Sequence, residues 1–197
     1  PACWRMTNFD ATNTNQRLPL SGVVITFNEG DRIARCVGSL LSVCTQVVVL
    51  DSGSTDDTVS IARALGATVI DQPWLGFAAQ KNAAIAQATQ PWVLLLDADE
   101  WLPSSAQTEL RSLFADAQLA RADVWQLLRR THFLGCAMRF GSFAQEPVER
   151  LFRPGVARAE HVQRDPRHDG RQPAAQVLDR ADVLDQPGDL RLDVREE

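Results

Sequence analysis

Lysine occurs once in the 197 residues, at Lys81, and tyrosine not at all. Every other basic side chain apart from three histidines is arginine, the usage of a GC-rich coding sequence. Cysteine is sparse: the four, at positions 3, 36, 44 and 136, show neither Cys-x-x-Cys spacing nor the density of a secreted disulfide scaffold, and they read as reduced cytoplasmic thiols. No apolar run approaches the roughly 18 residues of a membrane-spanning helix, and residues 1–20 are polar without a signal-peptide core, so any membrane contact is expected to be peripheral. A formal net charge of −5 gives no general attraction to nucleic acid, and no nucleic-acid partner is expected. Neither a Gly-x-Gly-x-x-Gly turn nor a Walker A loop is present, which removes two common phosphate cradles.

What is present is a regular alternation of strand and helix signals in a chain 45% apolar and 23% charged, as expected of one soluble globular domain. Residues 22–27 form a β-branched run that breaks at Asn28-Glu29-Gly30, and a helix capped by Asp31 should follow to about 43. Residues 46–50 are a second strand ending in Asp51, and the turn-rich loop 52–57 leads into a helix stopped by Gly66. A strand at 67–70, an alanine-rich helix at 77–88 and a strand at 92–96 come next. Pro103-Ser104 then opens a helix carrying Leu110, Leu113 and Phe114. The pattern predicts an α/β fold with a parallel sheet and right-handed crossovers. The first residues, 1–5, precede the first plausible initiator, Met6, and are read as leader.

The strand at 92–96 is apolar without interruption, and then Asp97, Asp99 and Glu100 follow within four residues. In an extended backbone Asp97 and Asp99 point the same way with small Ala98 between them. Such a pair suits Mg²⁺ or Mn²⁺, which takes oxygen ligands and shares carboxylates with substrate phosphates; the alternative is a solvated acidic turn. Three strands ending in polar side chains, Asn28 and Glu29, Asp51, and Asp97 with Asp99, make one cleft along the carboxyl edge of a parallel sheet. A nucleotide would set its base and ribose against Asn28, Glu29 and Asp51 and its diphosphate on a metal at Asp97 and Asp99. Lys81 would neutralise phosphate charge, unless it is an ordinary surface lysine.

The runs Val23-Val24-Ile25-Thr26-Phe27-Asn28-Glu29, Asp51-Ser52-Gly53-Ser54-Thr55-Asp56, Gly76-Phe77-Ala78-Ala79-Gln80-Lys81-Asn82 and Asp97-Ala98-Asp99-Glu100 resemble, in order and spacing, the motifs of family 2 glycosyltransferases. With Arg150-Leu151-Phe152-Arg153 they are most similar to the bacterial lipopolysaccharide core β-1,4-glucosyltransferase group, over residues 21–155. The resemblance implies a GT-A nucleotide-binding sandwich with a mostly parallel central sheet, a UDP-sugar donor, a divalent metal and inversion at the anomeric carbon. It implies a donor site of Thr26, Asn28, Glu29, Asp51, Ser52, Lys81, Asp97 and Ala98, with Asp97 and Asp99 on the metal. It also implies a base shortly before Arg-Leu-Phe-Arg, where Glu146 stands, with Glu149 as competitor. The acceptor would be a lipopolysaccharide core or related glycan, and the site of action the cytoplasm or the cytoplasmic face of the inner membrane. Trp101, Phe143 and Phe152 are available to stack on sugars, though core packing accounts for each. His132 reads as a structural histidine.

Residues 157–197, which include His161 and His168, have a different character: rich in Arg, Asp, Gln and Pro, without aromatics, lysine or isoleucine. No sustained period is evident and no core is expected there. The segment reads as an out-of-frame product of a GC-rich gene, which divides the chain into a polar extension at 1–20, a glycosyltransferase domain at 21–156 and a low-order tail at 157–197, with the acceptor side truncated or aberrant. Two rival readings remain. One is a remnant that binds nucleotide sugar without transferring it; the other is a phosphatase with an Asp-x-Asp nucleophile, against which the position of that motif in a fourth strand argues.

Overall fold

The computed structural model describes residues 16–133, 136–137, 146–156 and 188–196. Strand β1 (Leu18–Thr26) is the axis of the sheet, hydrogen-bonded in parallel to β2 (Cys44–Asp51) on one side and to β4 (Trp92–Asp97) on the other. Beyond β2 lies β3 (Thr68–Asp71), also parallel. The chain thus steps outward from β1 through β2 to β3, then returns to place β4 on the opposite side of β1. That reversal makes a topological switch point between β1 and β4, and such a point opens a crevice beyond the carboxyl ends of the two strands.

Both strands are near-continuous apolar runs because each serves two cores. Leu20 and Val24 of β1 and Trp92, Leu94 and Leu96 of β4 pack into one cluster with α1 (Ile33–Leu41), α2 (Thr58–Leu65) and α4 (Ser104–Ala115). The intervening Val23, Ile25, Val93 and Leu95 pack into a second with α3 (Phe77–Ile85). Alternation along a buried strand divides it between the two faces of the sheet, and the one polar side chain inside β1, Ser21, is buried and donates to Gln46 Oε1 (2.5 Å). Leu110, Leu113 and Phe114 sit on the buried face of α4, as their spacing predicts. Gly66 ends α2 in the left-handed conformation, φ 102°, with its N–H on the carbonyls of Ala62 and Arg63.

On the far side of β4 the sheet becomes mixed. Strand β8 (Glu146–Phe152) pairs antiparallel with both β4 and β6 (Val124–Phe133). A two-residue strand, β5 (Glu100–Trp101), leaves the turn after β4, and β7 (Cys136–Ala137) pairs with β6. Four sequence expectations need correction. β1 begins at Leu18, and Leu18 and Leu20 are fully buried, so the sheet reaches into the segment taken as a polar extension. Asp31 does not cap α1, whose cap position is Arg32 without a side-chain bond. Ala98 and Asp99 form a turn, so Asp97 and Asp99 do not alternate along one extended strand. Residues 188–196 form a strand, β9 (Gly188–Glu196), paired with β6 and β5; its sequence alternates Leu190, Leu192 and Val194 with Arg191, Asp193 and Arg195, a period-two pattern hidden by the charged composition around it. Residues 157–187, with His161 and His168, lie outside the described residues, as does Phe143.

Candidate donor-binding site

The loops after β1 and β2 are stapled together by backbone N–H groups donating to short polar side chains. Asn28 N–H donates to Ser54 Oγ (2.8 Å), Glu29 N–H to Thr58 Oγ1 (2.8 Å) and Gly30 N–H to Asp56 Oδ2 (2.9 Å). In return Thr55 N–H donates to Asn28 Oδ1 (2.8 Å). A side chain at position 30 would meet Asp56 Oδ2 at 3.0 Å, so glycine is what allows the loops this close. Asp51 is spent on its own loop: Oδ2 accepts from the N–H groups of Gly53 and Ser54 (3.0 and 2.9 Å) and Oδ1 from Ser54 Oγ (2.5 Å), with the residue 3% exposed.

At the switch point a cavity of about 610 Å³ opens between the end of β1 and the end of β4. Its wall includes Thr26, Glu29, Ser52, Asp97, Ala98 and Asp99, and its mouth carries Phe27, Trp74 and Phe77, all at least half exposed. The rings of Trp74 and Phe77 meet edge to face, centroids 4.8 Å apart. Thr26 lines the cavity but is almost fully buried, and its Oγ1 is closed to solvent and finds no partner among the described residues. The loop bearing Trp74 is held by Gln80 of α3, fully buried, whose Nε2 donates to Ser52 Oγ and to the carbonyl of Gln72 (3.1 Å each) while its Oε1 accepts from Leu75 N–H (3.2 Å).

Beneath the carboxylate end of the cavity lies a buried charged cluster. Lys81 Nζ donates to Asp97 Oδ1 (2.5 Å), and Arg150 Nη2 donates to both Asp97 Oδ2 (2.9 Å) and Glu100 Oε1 (2.5 Å). Glu100 Oε2 accepts from Asp97 N–H (3.0 Å), and Arg129 Nη1 lies 3.9 Å from Glu100 Oε1. Burial acts to raise the Asp97 carboxyl, but the Arg150 and Lys81 charges overcome it and hold the group well below the usual carboxylate range. Burial dominates at Glu100 and pushes its carboxyl up to about 7 against the opposing Arg150 charge. Burial also lowers the Lys81 ammonium, with Asp97 working the other way.

A profile of glycosyl transferase family 2 matches residues 21–133, more than half of the chain and all of the loops just described up to Asp99. The chain belongs to glycosyl transferase family 2. Among curated relatives, this family 2 chain is 43% identical over 108 residues to an uncharacterized glycosyltransferase of Rickettsia conorii, covering 55% of this chain and 38% of the relative. It is 32% identical over 172 residues to the lipopolysaccharide core biosynthesis glycosyltransferase LpsC of Rhizobium meliloti, covering 82% of this chain and 60% of that protein. The chain therefore spans only part of the length of these relatives. Among solved structures, S. aureus TarS 1-349 in complex with UDP-GlcNAc superposes with a TM-score of 0.52 at 21% identity, covering 70% of this chain and 46% of that one. Glucosyl-3-phosphoglycerate synthase of Mycobacterium tuberculosis, in complex with Mn²⁺, UDP and phosphoglyceric acid, gives 0.50 at 20% identity, covering 78% and 63%. These likenesses are of fold, and the fold of the family 2 chain is GT-A.

Of the residues the sequence singles out, Thr26, Glu29, Ser52, Asp97, Ala98 and Asp99 share the large cavity. Asn28 lines a neighbouring one of about 380 Å³ with Glu29 and Asp56. Asp51 and Lys81 are buried, the first within its loop and the second against Asp97. Glu146 begins β8 opposite Arg129, and its side chain lies outside the described residues. Phe152 is a core residue, and Trp101 has the Arg35 guanidinium over its ring at 4.4 Å. Sequence reasoning missed Arg150, Glu100, Gln80 and Trp74 as parts of the site. Arg150, Glu100 and Gln80 carried a signal, through their places in the family 2 motifs, and Trp74 carried none.

Both oxygens of Asp97 are engaged by cations, and among the described residues no group of three metal-ligating side chains converges. Asp99 lines the cavity on the turn next to it. The donor set is hard oxygen, and it fits a divalent cation shared with a ligand's phosphates better than one caged by protein alone.

Proposed function

We propose that the chain carries the donor half of an inverting glycosyltransferase that moves a hexose, glucose by resemblance, from UDP-sugar to a lipopolysaccharide core or related glycan. The observation that carries the reading is the polarity of the cavity: an aromatic mouth at Phe27, Trp74 and Phe77, and carboxylates at Asp97 and Asp99. A planar base suits the aromatic end, and a diphosphate with its cation suits the acidic one. A divalent cation bound there would offset the negative charge that grows on the departing diphosphate.

The chain's own residues do the rest. Asp99 would meet the cation–diphosphate unit, Thr26 and Ser52 line the wall beside the nucleoside, and Asn28, Glu29 and Asp51 fix the loops that shape it. Lys81 acts through Asp97 rather than on phosphate directly. Glu146 is proposed as the base that removes the acceptor hydroxyl proton as that oxygen attacks opposite the leaving group. The antiparallel register of Leu94 with Leu151 and Val93 with Phe152 runs the start of β8 toward the carboxyl end of β4, which supports this choice. Against a phosphatase, the first carboxylate of Asp-x-Asp is paired on both oxygens and poorly suited to attack phosphorus.

Calorimetric titration with UDP is the test. UDP should bind more tightly with Mn²⁺ than with chelator, by about tenfold or more, and Asp99→Asn should remove that gain. Equal affinity under both conditions would overturn the cation assignment, and no UDP binding at all would overturn the donor reading. Glu146→Gln should leave UDP affinity unchanged and cost on the order of 10²-fold in turnover. Binding without any sugar transfer by the unmutated chain would favour the remnant reading.

A further inference from the structure

Arg150 comes from β8, on the side of β4 away from the loops that shape the cavity, yet its guanidinium ends at the turn that bears Asp99. One nitrogen, Nη2, makes both of its hydrogen bonds to Asp97 and Glu100, and Glu100 returns its second oxygen to the backbone N–H of Asp97. The result is a closed ring: Asp97 N–H to Glu100 carboxylate, to Arg150, to Asp97 carboxylate. Only Ala98 and Asp99 lie inside it. Fixing residues 97 and 100 to one another and to β8 leaves a two-residue turn little choice about where its second side chain departs.

The rest of the guanidinium is spent poorly. Arg150 is only 1% exposed, and its Nε and Nη1 are buried without a partner among the described residues. A buried arginine that served stability alone would satisfy its donors, and an apolar side chain of like size would do as well. The arrangement sacrifices three buried N–H donors to hold two carboxylates on one nitrogen.

We propose that Arg150 is a positioning residue, which clamps the Asp97–Glu100 turn so that Asp99 presents its carboxylate to the cation on the donor diphosphate. The proposal deepens the UDP-sugar reading and rests on it.

The test uses the full chain with Arg150→Met, which keeps volume and removes the donors, and Arg150→Lys, which keeps the charge. UDP affinity is measured with Mn²⁺ and with chelator, and amide exchange at Asp97 is followed without ligand. Arg150→Met should cut the Mn²⁺-dependent gain in UDP affinity by about tenfold while leaving affinity in chelator unchanged, and Arg150→Lys should restore part of it. Exchange at Asp97 should speed up by a comparable factor, with the amides of Val23 and Val48 unaffected as the sign of an intact sheet. An undiminished Mn²⁺ gain overturns the proposal, and so does an equal loss with and without metal, which is the mark of a merely structural role. If Arg150→Met does not fold, an Arg150→Lys chain with wild-type Mn²⁺ gain but fast Asp97 exchange overturns it as well. A wild-type chain that binds UDP without any Mn²⁺ gain overturns the cation reading and this role with it, whereas slow Asp97 exchange in Arg150→Met shows that the clamp itself is what failed.

Discussion

Lys81 Nζ donates to Asp97 Oδ1 at 2.5 Å from a fully buried position, so the only lysine of the chain is ion-paired to the carboxylate that ends β4. Lys81→Met leaves Asp97 with Arg150 alone and should cost on the order of 2 kcal/mol. Asp97→Asn should cost more, because it leaves the buried Lys81 without its counter-charge and removes one of the two carboxylates on Arg150. Urea unfolding of both variants gives the comparison, and a milder effect for Asp97→Asn would mean that the cluster is solvated.

The same cluster sets a pH signature. Glu100 binds its proton more tightly folded than unfolded, with its carboxyl raised from 4.5 to about 7, so its contribution to stability is full below that window and falls as pH rises through it. Asp97 works in the opposite sense: its depressed carboxyl contributes stability above 3.8 that is lost as pH falls below that value. Urea midpoints of the wild type should therefore decline from pH 5 to 8, and Glu100→Gln should flatten that decline. A Glu100→Gln chain with an unchanged slope would assign the effect elsewhere.

Asn28 sits at φ 54°, in the left-handed region, while its Oδ1 accepts from Thr55 N–H. Asn28→Gly removes the acceptor but suits the backbone, and should cost about 1 kcal/mol. Asn28→Ala removes the acceptor and adds the steric penalty, for about 2 kcal/mol in all. Thermal unfolding of the pair separates the two contributions, and equal values would show that the backbone relaxes.

Gln80→Met keeps the volume of the side chain and removes two hydrogen bonds to the loop that carries Trp74 and one to Ser52. Exchange of the Leu75 amide should accelerate, and UDP affinity should fall about as far as it does in Trp74→Ala, roughly tenfold. Calorimetry on the two variants decides it: full UDP affinity in Gln80→Met would show that Trp74 needs no tether.

Much of this architecture is legible from the chain. The runs at Val23–Ile25 and at 92–96 are apolar because both faces are covered, and that pattern survives without knowledge of neighbours. The polar residues at the strand ends marked the cleft for the same reason. Pairing is what the letters do not carry. Arg150 is 53 residues from Asp97, and nothing in either residue's neighbourhood says that a guanidinium is fully buried there. The burial of Lys81 is not legible either, because a buried ammonium is rare unless it has a partner, and the pairing with Asp97, 16 residues on at the end of β4, appears only when α3 is packed beside that strand. Period two failed at Asp97 and Asp99 because the strand had already ended. It was overlooked at Leu190, Leu192 and Val194 because their polar neighbours are all charged.

The staples between the first two loops are backbone N–H groups on short, neutral or acidic side chains, and the ion pair of Arg32 with Glu29 lies within the first loop alone. Contacts of that kind act over less than 3 Å and are hardly touched by the ionic atmosphere, unlike charges facing one another across solvent. The wall of the cleft should thus hold its outline in concentrated salt. Whatever weakening salt brings to a ligand there measures the charge of the ligand and of the carboxylates that meet it, and ionic strength becomes a probe of the guest with the host held constant.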